Sequence, residues 1–353
     1  MPSPRQGLLI PCLREPRLLD DLSALEWEQL LRDAEGTRLS GRIAALSTSS
    51  EKRDAHPVWL RDRLFSLRAL GAESTRALLW ELNRLRRAFH DIGVPLLALK
   101  GAAYAAARLP VAAGRPSADV DILVAEERLD EATVALERHG WNFLPLDPYD
   151  EQYYRRWMHE LPPMVHQDRQ AALDVHHQIL PRTGRLHPDA GRLLAAAVPS
   201  AEQGVAILSP AHMTLHACVH LFQDGAVAGA LRDLVDIDGL LRHFGADAGF
   251  WTMLGEEAET LGLQRPAYYA VMAASDVLGT PVPDSVLRRA AGWAPPAIVD
   301  AMMRRMLGVT LAKAEDAPAA ARLALYIRSH WLRMPPLQLA AHLLRKAARR
   351  SAN

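Results

Sequence analysis

The stretch that decides the fold is residues 118–124, which read Ala-Asp-Val-Asp-Ile-Leu-Val. Its first half alternates polar and apolar residues and its second half is wholly apolar, which is typical of a central β-strand with one functional end. Because successive side chains on a strand point to opposite faces, Asp119 and Asp121 are expected to project together, away from Val120. A rise of ~3.3 Å per residue places their Cα atoms roughly 7 Å apart, which suits two carboxylates that bind one or two Mg²⁺ ions.

A third acidic residue is expected on a neighbouring strand. Residues 164–166 and 172–176 flank a polar turn at 167–170, so they predict an antiparallel hairpin. Asp174 and His176 then share one face of the second hairpin strand. Two-metal phosphoryl transfer needs a carboxylate at this place, and we expect Asp174 to bind the metal that activates the acceptor hydroxyl and to accept its proton.

The segment before the Asp119 strand predicts a phosphate-binding turn. Residues 94–99 form a short apolar run, as a buried strand would, and Lys100-Gly101 separates them from a short helix expected at 102–108. Glycine permits close backbone approach, and the amides at the helix start, those of Gly101 and Ala102, can bind phosphate oxygens. The chain uses Arg almost everywhere else for positive charge, so we interpret Lys100 as a cation for the β- or γ-phosphate.

Three further side chains are candidates for contact with a nucleotide. Arg115 stands four residues before Asp119, and its planar guanidinium suits phosphate oxygens. Tyr104, one turn into the short helix, is expected either to contact base or ribose or to pack in the core. His176 shares its strand face with Asp174 and is the third candidate.

The rest of the chain is predicted to be mainly helical. Leucines and alanines recur at helical spacing from 18 to 46 and from 58 to 92, and a further helix is expected at 127–138. Strand signals fade beyond Pro181. Helices are expected near 210–222, 228–244, 249–261, 265–277, 284–291, 296–313 and 318–331, and a basic amphipathic tail at 337–350.

Two groups of polar residues in these helices could serve the site or the packing. Three histidines at i, i+4 spacing lie on one helix face that could bind zinc, but no Cys or Glu joins them at ligand spacing in the sequence, which favours packed histidines or histidines that hold a ligand residue in place. They are His212, His216 and His220. The acidic residues of the next helix are interpreted as solvated or paired with an arginine. They are Asp233, Asp236 and Asp238.

Composition narrows the class of protein. A chain of 353 residues suits two domains, and Lys+Arg and Asp+Glu balance at 41 each, so no overall basic field would hold long DNA. The two cysteines, Cys12 and Cys218, have no metal-type spacing, which fits a reducing compartment. No stretch approaches the ~20 apolar residues of a membrane span. We therefore expect a cytoplasmic protein without a transmembrane segment.

Together these residues resemble the uncharacterised bacterial nucleotidyltransferase family of the DNA polymerase β superfamily. That family shows an LKG segment, an R-x-x-x-D-I-D-L-L-V segment and a later D-L-H-W segment. The matching stretches of this chain are residues 97–101, 115–124 and 173–176. The resemblance covers roughly residues 85–245. It departs at Ala102, where the superfamily usually has Ser, and at His177, where the family tends to have Trp.

The resemblance implies an α+β fold, with a minimal polymerase-β-like nucleotidyltransferase palm of mixed sheet and flanking helices. We expect an N-terminal helical region at 1–92, the palm at 93–182, an all-helical domain at 183–335 and the tail at 336–353. Expected ligands are a nucleoside triphosphate and Mg²⁺, as two ions with Mn²⁺ as an alternative. Their carboxylate ligands would be Asp119, Asp121 and Asp174.

The leading hypothesis is an enzyme that moves a nucleoside monophosphate from the triphosphate to an acceptor. The acceptor classes left open are a small molecule, a peptide or protein, and an RNA end. One alternative is a catalytically silent nucleotide-binding regulator or scaffold. Another is a toxin or antitoxin module that modifies tRNA or a partner protein.

Overall fold

The computed structural model describes residues 7–47, 56–147, 151, 154, 156–224, 227, 229–311 and 318–333. The predicted basic tail at 336–353 lies outside these residues. Within them the chain forms a mixed seven-stranded sheet with helices packed around it, which confirms the predicted α+β class.

In the described residues, four α-helices precede the sheet. They are α1 (Leu9–Arg14), α2 (Ala24–Gly36), α3 (Ser40–Leu46) and α4 (Val58–His90). The leucine and alanine spacing predicts α2, α3 and α4, whereas α1 was not expected. α2 begins with a capping box, because the Ser23 hydroxyl accepts a hydrogen bond from the Glu26 amide and the Glu26 carboxylate accepts one from the Ser23 amide. The long helix α4 packs against α3.

The sheet consists of short strands in the order β3-β4-β5-β2-β1-β7-β6. Their bounds are β1 (Leu97–Ala98), β2 (Asp119–Leu123), β3 (Trp141–Phe143), β4 (Met164–His166), β5 (Ala172–His176), β6 (Val198–Pro199) and β7 (Ala206–Ile207). β2 pairs in parallel with β5, and β1 pairs in parallel with β7. The other neighbouring pairs are antiparallel.

The centre of the sheet is the parallel pair β2–β5. Its register sets Asp121 opposite Asp174 and Ile122 opposite Val175. Ile122 and Val175 are fully buried and belong to the hydrophobic core, so a shift of one residue would move the carboxylates into that core. The apolar residues of the two strands therefore fix where the acidic ones lie.

The predicted hairpin is confirmed, since β4 and β5 are antiparallel with Met164 opposite Leu173. Three strands were not expected from the sequence. β3 has three residues and β6 and β7 have two each, which is too few to display an alternating pattern. Because β6 and β7 join the sheet, the predicted palm segment 93–182 does not contain all of it.

Two helices flank the central strands. α5 (Lys100–Ala106) begins directly after β1, two residues earlier than predicted, and α6 (Leu129–Arg138) follows β2. The long helix α4 packs against both of them and against β2. A short helix not expected from the sequence, α7 (Ala190–Ala195), follows the hairpin.

The remaining helices agree closely with the predicted ones. They are α8 (Pro210–Val219), α9 (Leu231–Phe244), α10 (Ala248–Thr260), α11 (Gln264–Leu278), α12 (Asp284–Ala291), α13 (Ala297–Thr310) and α14 (Ala319–Arg333). α8 starts at the predicted cap, where the Ser209 hydroxyl accepts a hydrogen bond from the His212 amide. After Val219 the chain continues as a π-helix at His220–Asp224, a form that often occurs at functional sites.

In the described part of the chain, no helix combines the length and the apolar character needed to cross a bilayer.

Candidate active site

The three predicted carboxylates lie together on the parallel pair β2–β5. Asp121 and Asp174 are register partners on these two strands. Asp119 lies two residues before Asp121 on β2, and its side chain is exposed. Asp119, Asp121 and Asp174 therefore lie on two adjacent strands of the sheet.

The carboxylate oxygens are spread over the site. Within the described residues, they do not form a group in which every ligand atom lies within 4.8 Å of the others.

Lys100 is directed at Asp121. Its ammonium donates a hydrogen bond to Asp121 Oδ1 at 2.7 Å, and the side chains of Lys100 and Asp121 are 23% and 5% exposed. Burial alone would raise the pKa of Asp121, but Lys100 and then His176 hold that pKa well below its usual range. Burial would lower the pKa of Lys100, yet Asp121 outweighs it and raises that pKa. Both groups are charged at neutral pH.

The backbone at Lys100 adopts an uncommon conformation. Its φ angle is +45°, in the left-handed region that favours glycine. Such a conformation costs a non-glycine residue on the order of 1–3 kcal/mol and is typically retained at functional sites. Here it occurs at the first residue of α5, two residues after β1 ends, where the side chain reaches Asp121.

His176 lies behind Asp121 and does not line the cavity in front of it. Its ring is completely buried, and its Nε2 atom lies 2.9 Å from Asp121 Oδ1, the same oxygen that Lys100 contacts. The second oxygen of Asp121 accepts no hydrogen bond from the described residues. His176 is therefore placed to orient Asp121, whereas the sequence analysis expected it to contact a nucleotide.

The surroundings of the Asp174 carboxylate disfavour its negative charge, although His176 and Lys100 partly offset this. The carboxylate receives no hydrogen bond from the described residues, and burial, followed by the negative charge of Asp121, raises the pKa of Asp174 to about 6. A divalent cation would relieve both costs, and an all-oxygen ligand set suits Mg²⁺. These residues fit the ion that the resemblance implies.

Gly101 lies directly beneath the loop that precedes β2. A Cβ atom at Gly101 would lie 2.3 Å from Ser117 Oγ and 2.4 Å from Arg115 Nη1, closer than any real contact. Arg115 Nη1 donates a hydrogen bond to Ser117 Oγ at 2.6 Å. The loop therefore covers the start of α5, and only glycine leaves room for it.

Arg115 is held by the helix α9. Its Nε atom donates a hydrogen bond to Asp236 Oδ2 at 2.8 Å, and both side chains are largely buried. Its guanidinium also lies over the Tyr104 ring, 5.5 Å from the centroid. Two of its donors are thus occupied by Asp236 and Ser117. The sequence predicted Arg115 as a phosphate clamp and Asp236 as solvated or paired with an arginine, and the pairing is what occurs.

A cavity opens in front of Lys100 and Asp121, whereas Asp174, Gly101, Ala102 and His176 do not line it. It is lined by five of the predicted residues, Lys100, Tyr104, Arg115, Asp119 and Asp121, and also by Arg38, Ser117, His220, Arg232, Asp233 and Asp236. Of this second group, sequence reasoning missed Arg38, Ser117 and Arg232 as site residues. No sequence signal marks Arg38 or Arg232, because arginine is common throughout the chain.

The histidines of α8 have different environments. His212 Nε2 lies 2.8 Å from Glu257 Oε2, and Arg192 donates two hydrogen bonds to the same carboxylate. His216 is buried, and burial holds its pKa well below the ordinary value. The interpretation as packed histidines is confirmed for these two, whereas His220 lines the cavity.

The loop before β2 is anchored on the N-terminal helices. Gly114 has a φ angle of +70° and packs against the backbone of Gly41, so closely that a Cβ on Gly114 would lie 2.1 Å from the Gly41 carbonyl oxygen. The Ser117 amide donates a hydrogen bond to Ser74 Oγ of α4 at 3.3 Å. α3, α4 and α9 together fix the loop that carries Arg115.

The model of a family described as uncharacterised nucleotidyltransferase matches residues 23–279. The match begins at the cap of α2 and ends just after α11, so it is wider than the 85–245 range of the sequence resemblance. No curated protein and no solved structure matches the chain.

Proposed function

The chain belongs to the uncharacterised nucleotidyltransferase family, and from that premise we propose that it is a Mg²⁺-dependent enzyme. It moves a nucleoside monophosphate from a nucleoside triphosphate to an acceptor, which is a small molecule, a peptide or protein, or an RNA end. One observation carries this proposal: Asp121 and Asp174 are register partners, with Asp119 on the strand of Asp121.

The proposal assigns a role to each carboxylate. Asp119 and Asp121 hold the metal ions, and Asp174 completes the set on the acceptor side. When bound, Mg²⁺ would neutralise the triphosphate charge and favour ionisation of the acceptor hydroxyl. Asp174 is also assigned as the acceptor of the hydroxyl proton, because a carboxylate beside the acceptor can serve as a general base.

The triphosphate is proposed to lie in the cavity beside Lys100. The amides of Gly101 and Ala102, which the sequence predicted as phosphate donors, are buried beneath the loop that carries Arg115 and do not line this cavity, so no phosphate contact is assigned to them. The Lys100 ammonium has three donors, of which one contacts Asp121, so the others remain for phosphate. Arg38 and Arg232 line the same cavity and add positive charge.

Arg115 and His176 receive supporting roles in this proposal. Arg115 is tied to Asp236 and Ser117, so it shapes the loop over Gly101 more than it clamps phosphate. His176 orients Asp121 from behind. Tyr104 is 3% exposed and packs beneath Arg115, so its proposed contact with a nucleotide is limited to the cavity edge.

The test is transfer of label from each NTP in turn, with Mg²⁺ and a cell lysate as the source of acceptors. Wild-type protein should release pyrophosphate and label an acceptor, and Asp119→Asn should abolish both. Asp130→Asn is the matched control, because Asp130 is exposed on α6, outside the cavity. Labelling that persists in Asp119→Asn would refute the proposed mechanism.

A catalytically silent nucleotide-binding protein is the second candidate. The Lys100–Asp121 pair favours it, since the ammonium already neutralises a carboxylate that a catalytic ion would otherwise hold. Calorimetry would then detect binding of Mg²⁺–NTP, with no pyrophosphate released for any nucleotide or acceptor.

A further inference from the structure

A second group of metal-binding side chains lies behind Asp121, away from the cavity. It consists of His159, Glu160 and His176. The backbone fixes the group firmly, because Glu160 forms an antiparallel β-bridge with His176 and the His177 amide donates to the His159 carbonyl at 2.9 Å. The segment that carries His159 and Glu160 is therefore held along the end of β5.

The ligand atoms of this group lie close together. Glu160 Oε2 is 3.5 Å from His176 Nδ1 and 4.0 Å from His159 Nε2, and one ligand atom from each of the three residues lies within 4.8 Å of the others. Ligand atoms bound tetrahedrally at about 2.0–2.1 Å from a zinc ion are roughly 3.3 Å apart. The observed spacing thus approaches that of a bound site. No other such group occurs among the described residues.

The buried ring of His176 gives an independent indication of a ligand. Its Nδ1 atom is completely buried and has no hydrogen-bond partner in the described structure, since the 3.5 Å to Glu160 exceeds an ordinary hydrogen bond. Leaving such an atom unpaired in the interior is unfavourable. Its other nitrogen, Nε2, contacts the Asp121 carboxylate at 2.9 Å. Metal-bound histidines typically have this arrangement, with one nitrogen on the metal and the other donating to a carboxylate.

We propose that His159, Glu160 and His176 bind a divalent transition-metal ion of the Zn²⁺ type, at a site separate from the Mg²⁺ ligands Asp119, Asp121 and Asp174. Two imidazoles and one carboxylate suit such an ion, whereas Mg²⁺ prefers oxygen ligands alone.

This ion would influence Asp121 through His176. Metal on Nδ1 fixes the tautomer in which Nε2 carries hydrogen, so His176 donates a hydrogen bond to Asp121 Oδ1. His176 is therefore a positioning residue for Asp121. The metal site stands on its own geometry and does not depend on the proposed transfer activity.

The first test measures metal content in the full chain. Protein stripped with a chelator and dialysed against Zn²⁺ in excess Mg²⁺ should retain about one zinc per chain by mass spectrometry. His159→Gln and Glu160→Gln should each lower the retained zinc at least tenfold. His187→Gln and Glu127→Gln are the matched controls, because both side chains are exposed and lie outside the group, and they should retain it. Absence of zinc in the wild type, or full retention in both site variants, would overturn the proposal.

A second measurement needs no variant, and so remains decisive if the substituted proteins fail to fold. X-ray absorption of the zinc-loaded wild type should show two imidazole ligands and no sulfur. Sulfur ligation would indicate Cys12 or Cys218, and oxygen ligation alone would indicate the Asp119 site. Either spectrum would overturn the assignment.

Discussion

The ammonium of Lys100 lies 2.7 Å from Asp121 Oδ1, so two residues 21 positions apart in the sequence form an ion pair in the core of the site. Because both side chains are largely buried, neither charge can be removed without leaving the other partly uncompensated.

Lys100→Met should therefore lower the free energy of unfolding by about 1–3 kcal/mol, because Asp121 loses its cation. The double variant Lys100→Met/Asp121→Asn should lose less than the sum of the two single variants, with a coupling energy of about 0.5–3 kcal/mol. Urea denaturation of the four proteins measures this cycle. Strict additivity would mean that the pair contributes no interaction energy.

Gly101→Ala should lower stability by about 1–3 kcal/mol and reduce nucleotidyl transfer, because the added methyl group displaces Ser117 and Arg115. Gly36→Ala is the matched control: Gly36 also lies in a helix, but its Cβ would meet no atom within 4 Å. Thermal melts and the transfer assay check both variants. Equal losses of stability and activity in the two variants would show that Ser117 and Arg115 do not exclude a side chain at Gly101.

Gly114→Ala should destabilise the protein more than Gly93→Ala does. Both glycines have left-handed φ angles, +70° and +62°, so the conformational cost of about 1 kcal/mol is shared. Only at Gly114 does the new Cβ also collide with the backbone of Gly41. The difference between the two losses, measured by urea denaturation, isolates that contact. If Gly93→Ala lowers the stability by the same amount, the contact between the loop and α3 does not contribute to the free energy of unfolding.

The network of Arg192, Glu257 and His212 should make the free energy of unfolding depend on pH. The hydrogen bond from Arg192, opposed by burial and aided by His212, lowers the pKa of Glu257 to about 2. A carboxyl whose pKa is lowered by folding stabilises the protein above its unfolded pKa of about 4.3, and that stabilisation is lost as the pH falls towards 2. Glu257→Gln should therefore be less stable than wild type at pH 7, by on the order of 1–3 kcal/mol.

Unfolding titrations of wild type and Glu257→Gln from pH 7 to pH 3 test this dependence. The gap between the two proteins should narrow below about pH 4. A gap that stays constant over this range would exclude ionised Glu257 as its source.

Local pattern was enough to predict the central strand, the hairpin and most helices. Strand β2 shows a change from alternating to apolar residues, and its register with β5 follows from burying Ile122 and Val175. The two-residue strands β6 and β7 show no such pattern, because their place in the sheet is decided by neighbours that are distant in the sequence. They could not be predicted from local periodicity.

In the candidate site, too, some features could be predicted from local sequence pattern and others depend on residues distant in the sequence. Asp119, Asp121, Asp174 and Lys100 could be predicted because acidic and basic residues at the ends of apolar strands need partners. The pairing of Arg115 with Asp236 could not be predicted, because Asp236 lies on a helix 121 residues further along the chain. The contact of His176 with Asp121 could not be predicted either, because it depends on the pairing of β2 with β5.

The Arg115–Asp236 contact also bears on the order of events during synthesis. A ribosome releases β1, β2 and β5 well before α9, so the nascent chain has all three predicted carboxylates before it has the helix that secures the loop above them. The emerging polypeptide should therefore carry its three carboxylates without the complete pocket until residue 236 has left the exit tunnel.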